Sequence, residues 1–343
     1  MKKEIFKSGL LNKTLKSAAV AISLVSLCTT LVFADMVGKG KSVQPCYNGI
    51  VEELFQLLIV DKGLEQLGYE VKTPLELEVT SMHMAVAQGD ADYNANSWIP
   101  LHNNFYEKVG GADVVTRVGT LVEGAVQGYL IDKKTAEKYN IKTINDLADP
   151  ELAKLFDSNG DGTADLTGCN PGWGCERTIE HHLDAYKLRK TVNHNQGSYF
   201  ALIADTIARY KAGESILYYT WSPQWVGGVL VPGQDVVWLE VTHTDLPKGQ
   251  ENADTTTPDG KNLGFSVNSI HVFANNKFLK KNPAAEKFFE LAKIPIDDIA
   301  AQNLKIRNGE KSLQDIDNHA NEWIAAHQST FDHWIQEASA VAK

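Results

Sequence analysis

Three tryptophans sit in windows that break regular structure: Trp98 in Asn-Ser-Trp-Ile-Pro-Leu-His, Trp173 in Gly-Cys-Asn-Pro-Gly-Trp-Gly-Cys, and Trp221 in Tyr-Tyr-Thr-Trp-Ser-Pro-Gln-Trp. Each lies beside Pro or Gly, where strands finish and helices begin, and such positions carry ligand contacts. Indole faces are electron-rich and offer almost no hydrogen-bond acceptors. Several facing one cavity suit a cation that has no hydrogen bond to donate, such as a quaternary ammonium. The competing expectation for each tryptophan is ordinary packing.

Trp173 precedes a predicted helix from Cys175 to about Leu188, supported by Ile179, Leu183 and Tyr186. The amides of Gly174 and Cys175 then lack partners at a positive helix end, which suits a carboxylate. His102 follows Trp98 by four residues. If Ile99-Pro100 opens a helix, that is one turn, and the imidazole reaches the same cleft to donate to the anion; the competing reading is a satisfied core or surface histidine. Cation at one end and carboxylate at the other describe a small zwitterion.

Magnitudes show that both ends are needed. Three aromatic faces give at most about 6 kcal/mol, whereas micromolar binding needs about 8 kcal/mol net. Charge-assisted hydrogen bonds to the carboxylate, roughly 1.5 to 3 kcal/mol each, supply the difference.

These residues must be positioned by alternating strands and helices. Ile50, Val51, Leu54, Leu57 and Leu58 recur at helical spacing, and Gly68 ends that helix. An extended segment over 71–79, a helix over Met82 to Gln88 and a strand over Ala91 to Asn96 lead into Trp98. Further strands are expected over Val126 to Asp132, Ile216 to Thr220, Val236 to Val241 and Ile270 to Ala274. Such alternation implies α/β layers, whose ligands bind beyond the carboxyl ends of strands. Toward the C-terminus, Asn282-Pro283 reads as an N-cap with Pro at the first helical position, and Ser312 with Asp315 as a capping box. Trp238, Trp323 and Trp334 read as packing residues.

Residues 1–34 have the pattern of a secretory signal: five lysines precede an apolar run from Ala18 to Val32, and Val32-Phe33-Ala34 offers a small-residue cleavage site. Removing them takes away those lysines and Glu4, and the net charge moves from −10 to −14. A chain this acidic does not seek nucleic acid or anionic membrane. Cys169 and Cys175 bracket a turn containing Pro171, Gly172 and Gly174, and pair as a disulfide holding Trp173. Half of a zinc site is the competing reading, although no second pair stands at ligand spacing. Cys46 is left as a buried thiol.

Asp157, Asn159, Asp161, Thr163 and Asp165 follow the start of a calcium loop, with oxygens at alternate positions. Gly168 stands where a bidentate Glu normally completes the cage. A degenerate structural calcium site and a metal-free Asp/Asn/Gly turn both fit. No other cofactor is expected.

From Asp35 onward the chain resembles the ProX-type periplasmic glycine betaine/proline betaine-binding proteins of osmoprotectant ABC importers. Asn-Pro-Gly-Trp-Gly-Cys over 170–175 and Asn-Gly-Asp-Gly-Thr-Ala-Asp-Leu-Thr-Gly-Cys over 159–169 carry the resemblance. It implies a two-lobed type II periplasmic-binding fold with the ligand between lobes. It further implies that Trp98, Trp173 and Trp221 box a trimethylammonium, that His102 with the Gly174 and Cys175 amides holds the carboxylate, and that Cys169 pairs with Cys175. The expected division is signal 1–34, first lobe 35–129 and 266–343, and second lobe 130–265. The expected protein is a monomeric, non-catalytic periplasmic carrier read by a membrane permease and its ATPase. Choline or carnitine is the nearest alternative ligand. A secreted hydrolase is the rival of another class, but no nucleophile elbow, paired-histidine zinc helix or phosphate loop is present. A tryptophan-lined carbohydrate site would predict more Asp, Asn and Arg beside the indoles.

Overall fold

The computed structural model describes residues 36–341, so the expected signal segment lies outside the described residues. Two-residue strands β1 (Ser42–Val43) and β2 (Cys46–Tyr47) pair in parallel with β3 (Glu70–Val71) and β4 (Leu75–Glu76). Between them a 3-10 turn, Val51–Glu53, runs into α1 (Leu54–Gln66). Next come α2 (Val79–Gln88), β5 (Tyr93–Ile99), α3 (Asn103–Lys108) and the long β6 (Val115–Asp132). The middle of the chain contributes α4 (Lys133–Tyr139), α5 (Pro150–Ala153), β7 (Ala164–Thr167), α6 (Gly174–Ala185) and β8 (Val192–Asn195). It continues through α7 (Tyr199–Lys211), β9 (Leu217–Ser222) and β10 (Val236–Leu239). After β11 (Asn268–Asn275) only helices follow: α8 (Asn276–Lys281), α9 (Pro283–Leu291), α10 (Ile296–Arg307), α11 (Leu313–Ala326) and α12 (Gln328–Ala340).

The main sheet has seven strands in the order β5-β11-β6-β9-β7-β8, with β10 also on β6. The first part of β6 pairs with β11 as far as Ala125, and the second part pairs with β9 from Val126 and with β10 from Tyr129. Two large hydrophobic cores use this one strand. One gathers Leu57, Val60, Tyr93, Val122, Phe288 and Trp334, and the other Leu130, Leu166, Ile179, Ile203, Tyr218 and Leu239. Trp221 packs against both. The architecture is the expected mixed α/β, two-lobed arrangement.

Most expected elements are present with different ends. β6 begins eleven residues before the expected Val126, because register shifts opposite β11 interrupt the period-two alternation by which a strand is recognised. α6 begins at Gly174 and stops at Ala185, short of Leu188. Ile99-Pro100 does not open a helix: β5 runs through Ile99 because β11 pairs along it, and α3 starts only at Asn103. Asn282 is not a side-chain cap; its amide donates to the Phe278 carbonyl at 2.9 Å, leaving Pro283 to start α9. Ser312 and Asp315 do form the capping box. Trp323 and Trp334 pack in the first core, with the Trp323 indole N–H on Asp298. Cys46 is a free buried thiol, and burial, with Asp92 second, pushes its pKa up to about 12.

α1 and α9 approach closely at Gly63, where an added Cβ would lie 1.9 Å from Phe288 Cζ. Gly63→Ala gains about 0.5–1 kcal/mol of helix propensity but incurs an overpacking cost of about 1–3 kcal/mol. The variant is expected to melt several degrees lower in a calorimetric scan; an unchanged midpoint would show that the two helices can separate freely.

Candidate functional site

Trp98, His102, Trp173, Gly174, Cys175 and Trp221 all line one cavity. Its empty space is about 410 Å³, mouth included, which suits a small molecule rather than an oligosaccharide. The walls come from six places: the end of β5 and the turn after it, β6, the start of α2, the start of α6, the end of β9, and the loop and 3-10 turn before α1.

β5 places Trp98, which is 8% exposed. Its indole N–H donates to Asn96 Oδ1 at 3.0 Å, and Asn94 Oδ1 in turn accepts the Asn96 amide at 2.8 Å. The ring edge is thereby anchored, leaving the face available. The turn after β5 returns on itself, for the His102 amide donates to the Trp98 carbonyl at 2.8 Å. The four-residue spacing therefore brings the two side chains together even though no helix begins at Pro100.

His102 is buried, and its Nδ1 accepts the Trp98 amide at 3.2 Å. An amide can only donate, so the proton of a neutral ring resides on Nε2. Burial holds its pKa well below 6.5, with His83 and Arg117 adding to the effect. His83 meets the ring edge-on at 5.4 Å and Phe105 lies 5.7 Å away, so the imidazole is packed in position.

On the opposite wall the Cys169–Cys175 disulfide closes the loop carrying Trp173. The same loop is tied down where Asn170 Oδ1 accepts the Tyr199 amide at 2.8 Å and where the Trp173 amide reaches the Asn170 carbonyl at 3.2 Å. Trp173 is the N-cap residue of α6, so the Gly174 and Cys175 amides stand at its first positions with no preceding turn to bond to. Gly174 lies against Leu101 from the other wall. A Cβ there would come within 2.7 Å of Leu101 Cγ, which is why only glycine fits.

Trp221 meets Trp173 nearly perpendicular, at 77° and 5.8 Å between centroids, and the two faces form a corner. Tyr199 backs Trp221 at 4.7 Å. Seven further residues line the cavity, Asn48, Ile50, Glu53, Val79, Leu101, Gln127 and Tyr219. Tyr219 was legible, since it precedes Trp221 by two on one strand and therefore shares its face. Gln127 pairs opposite Trp221 across β6 and β9, and its Oε1 accepts the Tyr219 hydroxyl at 2.6 Å. That residue needed the register to be known.

The Asp157–Asp165 loop lies outside the cavity. Asp157 accepts amides from Gly160, Asp161 and Gly162, Asp161 accepts Thr163, and Asp165 accepts Ser158. Among the described residues no group of three or more His, Cys, Asp or Glu side chains is placed to hold a metal ion. Among them, too, no helix is long and apolar enough to cross a membrane.

The tautomer assignment is directly testable. The ring ¹⁵N shifts of His102 should report an Nε2-protonated neutral imidazole with no titration step down to pH 6.5, the ordinary midpoint; a protonation midpoint at or above that value would contradict the burial argument.

Residues 41–326 match the family described as the substrate binding domain of ABC-type glycine betaine transport system. The chain is 53% identical over 324 residues to the glycine betaine-binding periplasmic protein OusX of Dickeya dadantii, covering 94% of this chain and 98% of that protein. It is 51% identical over 328 residues to the glycine betaine/proline betaine-binding periplasmic protein of Escherichia coli, covering 95% and 99%. In fold it is similar to lactococcal OpuAC in its closed-liganded conformation with glycine betaine, at a TM-score of 0.65 and 24% identity, covering 86% of this chain and 99% of that one. A choline-binding protein of an ABC transporter, solved with choline, aligns at a TM-score of 0.69 and 17% identity, covering 88% and 96%. A corner of indoles facing a neutral histidine and a free helix start thus occurs in a chain that belongs to the substrate-binding components of ABC-type glycine betaine transport systems, which are not enzymes.

Proposed function

We propose that this protein binds a small betaine, glycine betaine or proline betaine, in the tryptophan-lined cavity and presents it to an importer. The observation that carries the reading is the convergence of Trp98, Trp173 and Trp221 with His102 and the α6 start on one small cavity. The indole faces take the methylated cation. His102 Nε2 and the Gly174 and Cys175 amides take the carboxylate, since all three are donors and none carries a charge that must be removed from water.

The lobes divide as 35–129 with 266–343, and 130–265. This rests on the exchange of β6 partners at Ala125/Val126 and on the return of the chain through β11. Trp98 and His102 then belong to one lobe and Trp173 and Trp221 to the other, so a ligand touching both favours the closed form. A membrane permease and its ATPase read that form. The mature protein acts as a monomer in the periplasm, released from the segment 1–34. The Asp157–Asp165 loop acts as a metal-free turn, because its carboxylates already accept the amides around them.

Intrinsic fluorescence titration with glycine betaine, proline betaine, choline and a neutral sugar tests the ligand class. Saturation by the betaines is expected, and a response to sugar alone would end the betaine reading. Trp173→Ala should weaken betaine binding more than tenfold, because one desolvated aromatic face contributes up to about 2 kcal/mol; an unchanged affinity would remove that residue from the cage. Gly174→Ala should lower the affinity while leaving the melting temperature within a few degrees, because its methyl meets Leu101 where both line the cavity. Equal affinity would show that the walls need not approach so closely.

A further inference from the structure

The cavity wall contains one acidic side chain, Glu53, and no Lys or Arg. Glu53 ends the 3-10 turn before α1 and makes no capping bond to the helix amides, so its carboxylate is not used to start the helix. Its Oε1 accepts Asn48 Nδ2 at 2.9 Å. Its Oε2 is buried and meets no partner in good hydrogen-bond geometry, the Asn96 side-chain amide being the other polar group that acts on the carboxyl. A buried carboxyl group with one oxygen only weakly satisfied, in a wall otherwise built of indoles, an imidazole, a phenol, amides and apolar groups, is placed to take an external partner.

Resting on the betaine reading, we propose that Glu53 is the counter-charge of the cage: it loses its proton to solvent as the quaternary ammonium enters, and the resulting carboxylate pairs with the cation. In the empty cavity burial pushes the Glu53 pKa up to about 8, with Glu52 acting in the same direction and the amides of Asn96 and Asn48 opposing. The other titratable groups around the cavity do not imitate this response. His102 is held neutral, and the Tyr219 phenol is raised well above its ordinary value by burial. Burial raises the Glu52 pKa as well, but Glu52 is not among the cavity-lining residues and accepts the Trp225 indole N–H at 2.9 Å.

The sign follows from linkage. Below about pH 8 the empty cavity holds a protonated Glu53. A bound cation lowers that pKa, so affinity falls as the pH drops and each binding event expels up to about one proton. Protonation of His102 would act oppositely, with proton uptake and tighter carboxylate binding in acid.

Calorimetric titration of the whole mature protein with glycine betaine, in two buffers of contrasting ionisation heat and across about pH 6 to 8, tests the proposal. Proton release is expected, with affinity rising roughly tenfold from pH 6 to pH 8. Glu53→Gln should bind more weakly at pH 8, with a flat pH profile and no proton release. Binding of glycine betaine by the native protein with no proton exchange, or with uptake, overturns the role of Glu53 and leaves the betaine reading standing. Proton release undiminished in Glu53→Gln overturns it equally. No binding of glycine betaine at any pH removes both. Should the variant fail to fold, the native measurement alone decides.

Discussion

An 18-residue strand extends roughly 60 Å at about 3.3 Å per residue, about twice the width of a small domain. β6 cannot be packed by one hydrophobic core and is instead shared by two. The site depends on this sharing. At the point where β6 exchanges β11 for β9, Gln127 comes opposite Trp221, and the ends of β5 and β9 are brought within reach of one another. A cavity walled by two separately packed cores can be dry and specific while its walls remain free to part.

Burial sets the electrostatics of that cavity. In water an imidazole and a carboxyl titrate in their ordinary ranges; here burial disfavours the charged form of each, holding His102 neutral and raising Glu53. The wall thus presents mainly neutral donors, aromatic faces and one carboxyl group. Neutral donors aimed at an anion avoid the heavy desolvation cost of a buried Lys or Arg. The same low polarity strengthens the pull of indole faces on a cation.

Precision in the Trp173 wall comes from local ties rather than from the core alone. A disulfide across Cys169 and Cys175, the Asn170 bond to Tyr199, and the closeness of Gly174 to Leu101 leave the loop little freedom. Ordering a loop in advance lowers the entropy lost when a ligand binds. Trp98 is restrained in a different way, by its strand and by Asn96 at its ring edge.

Much of this was legible in the residues themselves. The tryptophan windows, the Cys169–Cys175 turn and the helix start at Gly174 are local features, because Pro, Gly and helix-end amides constrain the backbone wherever they occur. The α/β alternation is likewise written in periodicity, although register shifts erase the alternating pattern over the first part of β6. What the chain could not disclose is pairing between distant segments. Nothing near Glu53 announces a cavity wall, and nothing near Gln127 announces a tyrosine hydroxyl or a tryptophan across the sheet. Even the closeness of His102 to Trp98 comes from a turn after a strand rather than from a helix opened at Pro100. Residue type and spacing determined what chemistry was on offer. Only tertiary structure decided which of those groups share one cavity, because burial and register are properties of segments brought together from far apart in the chain.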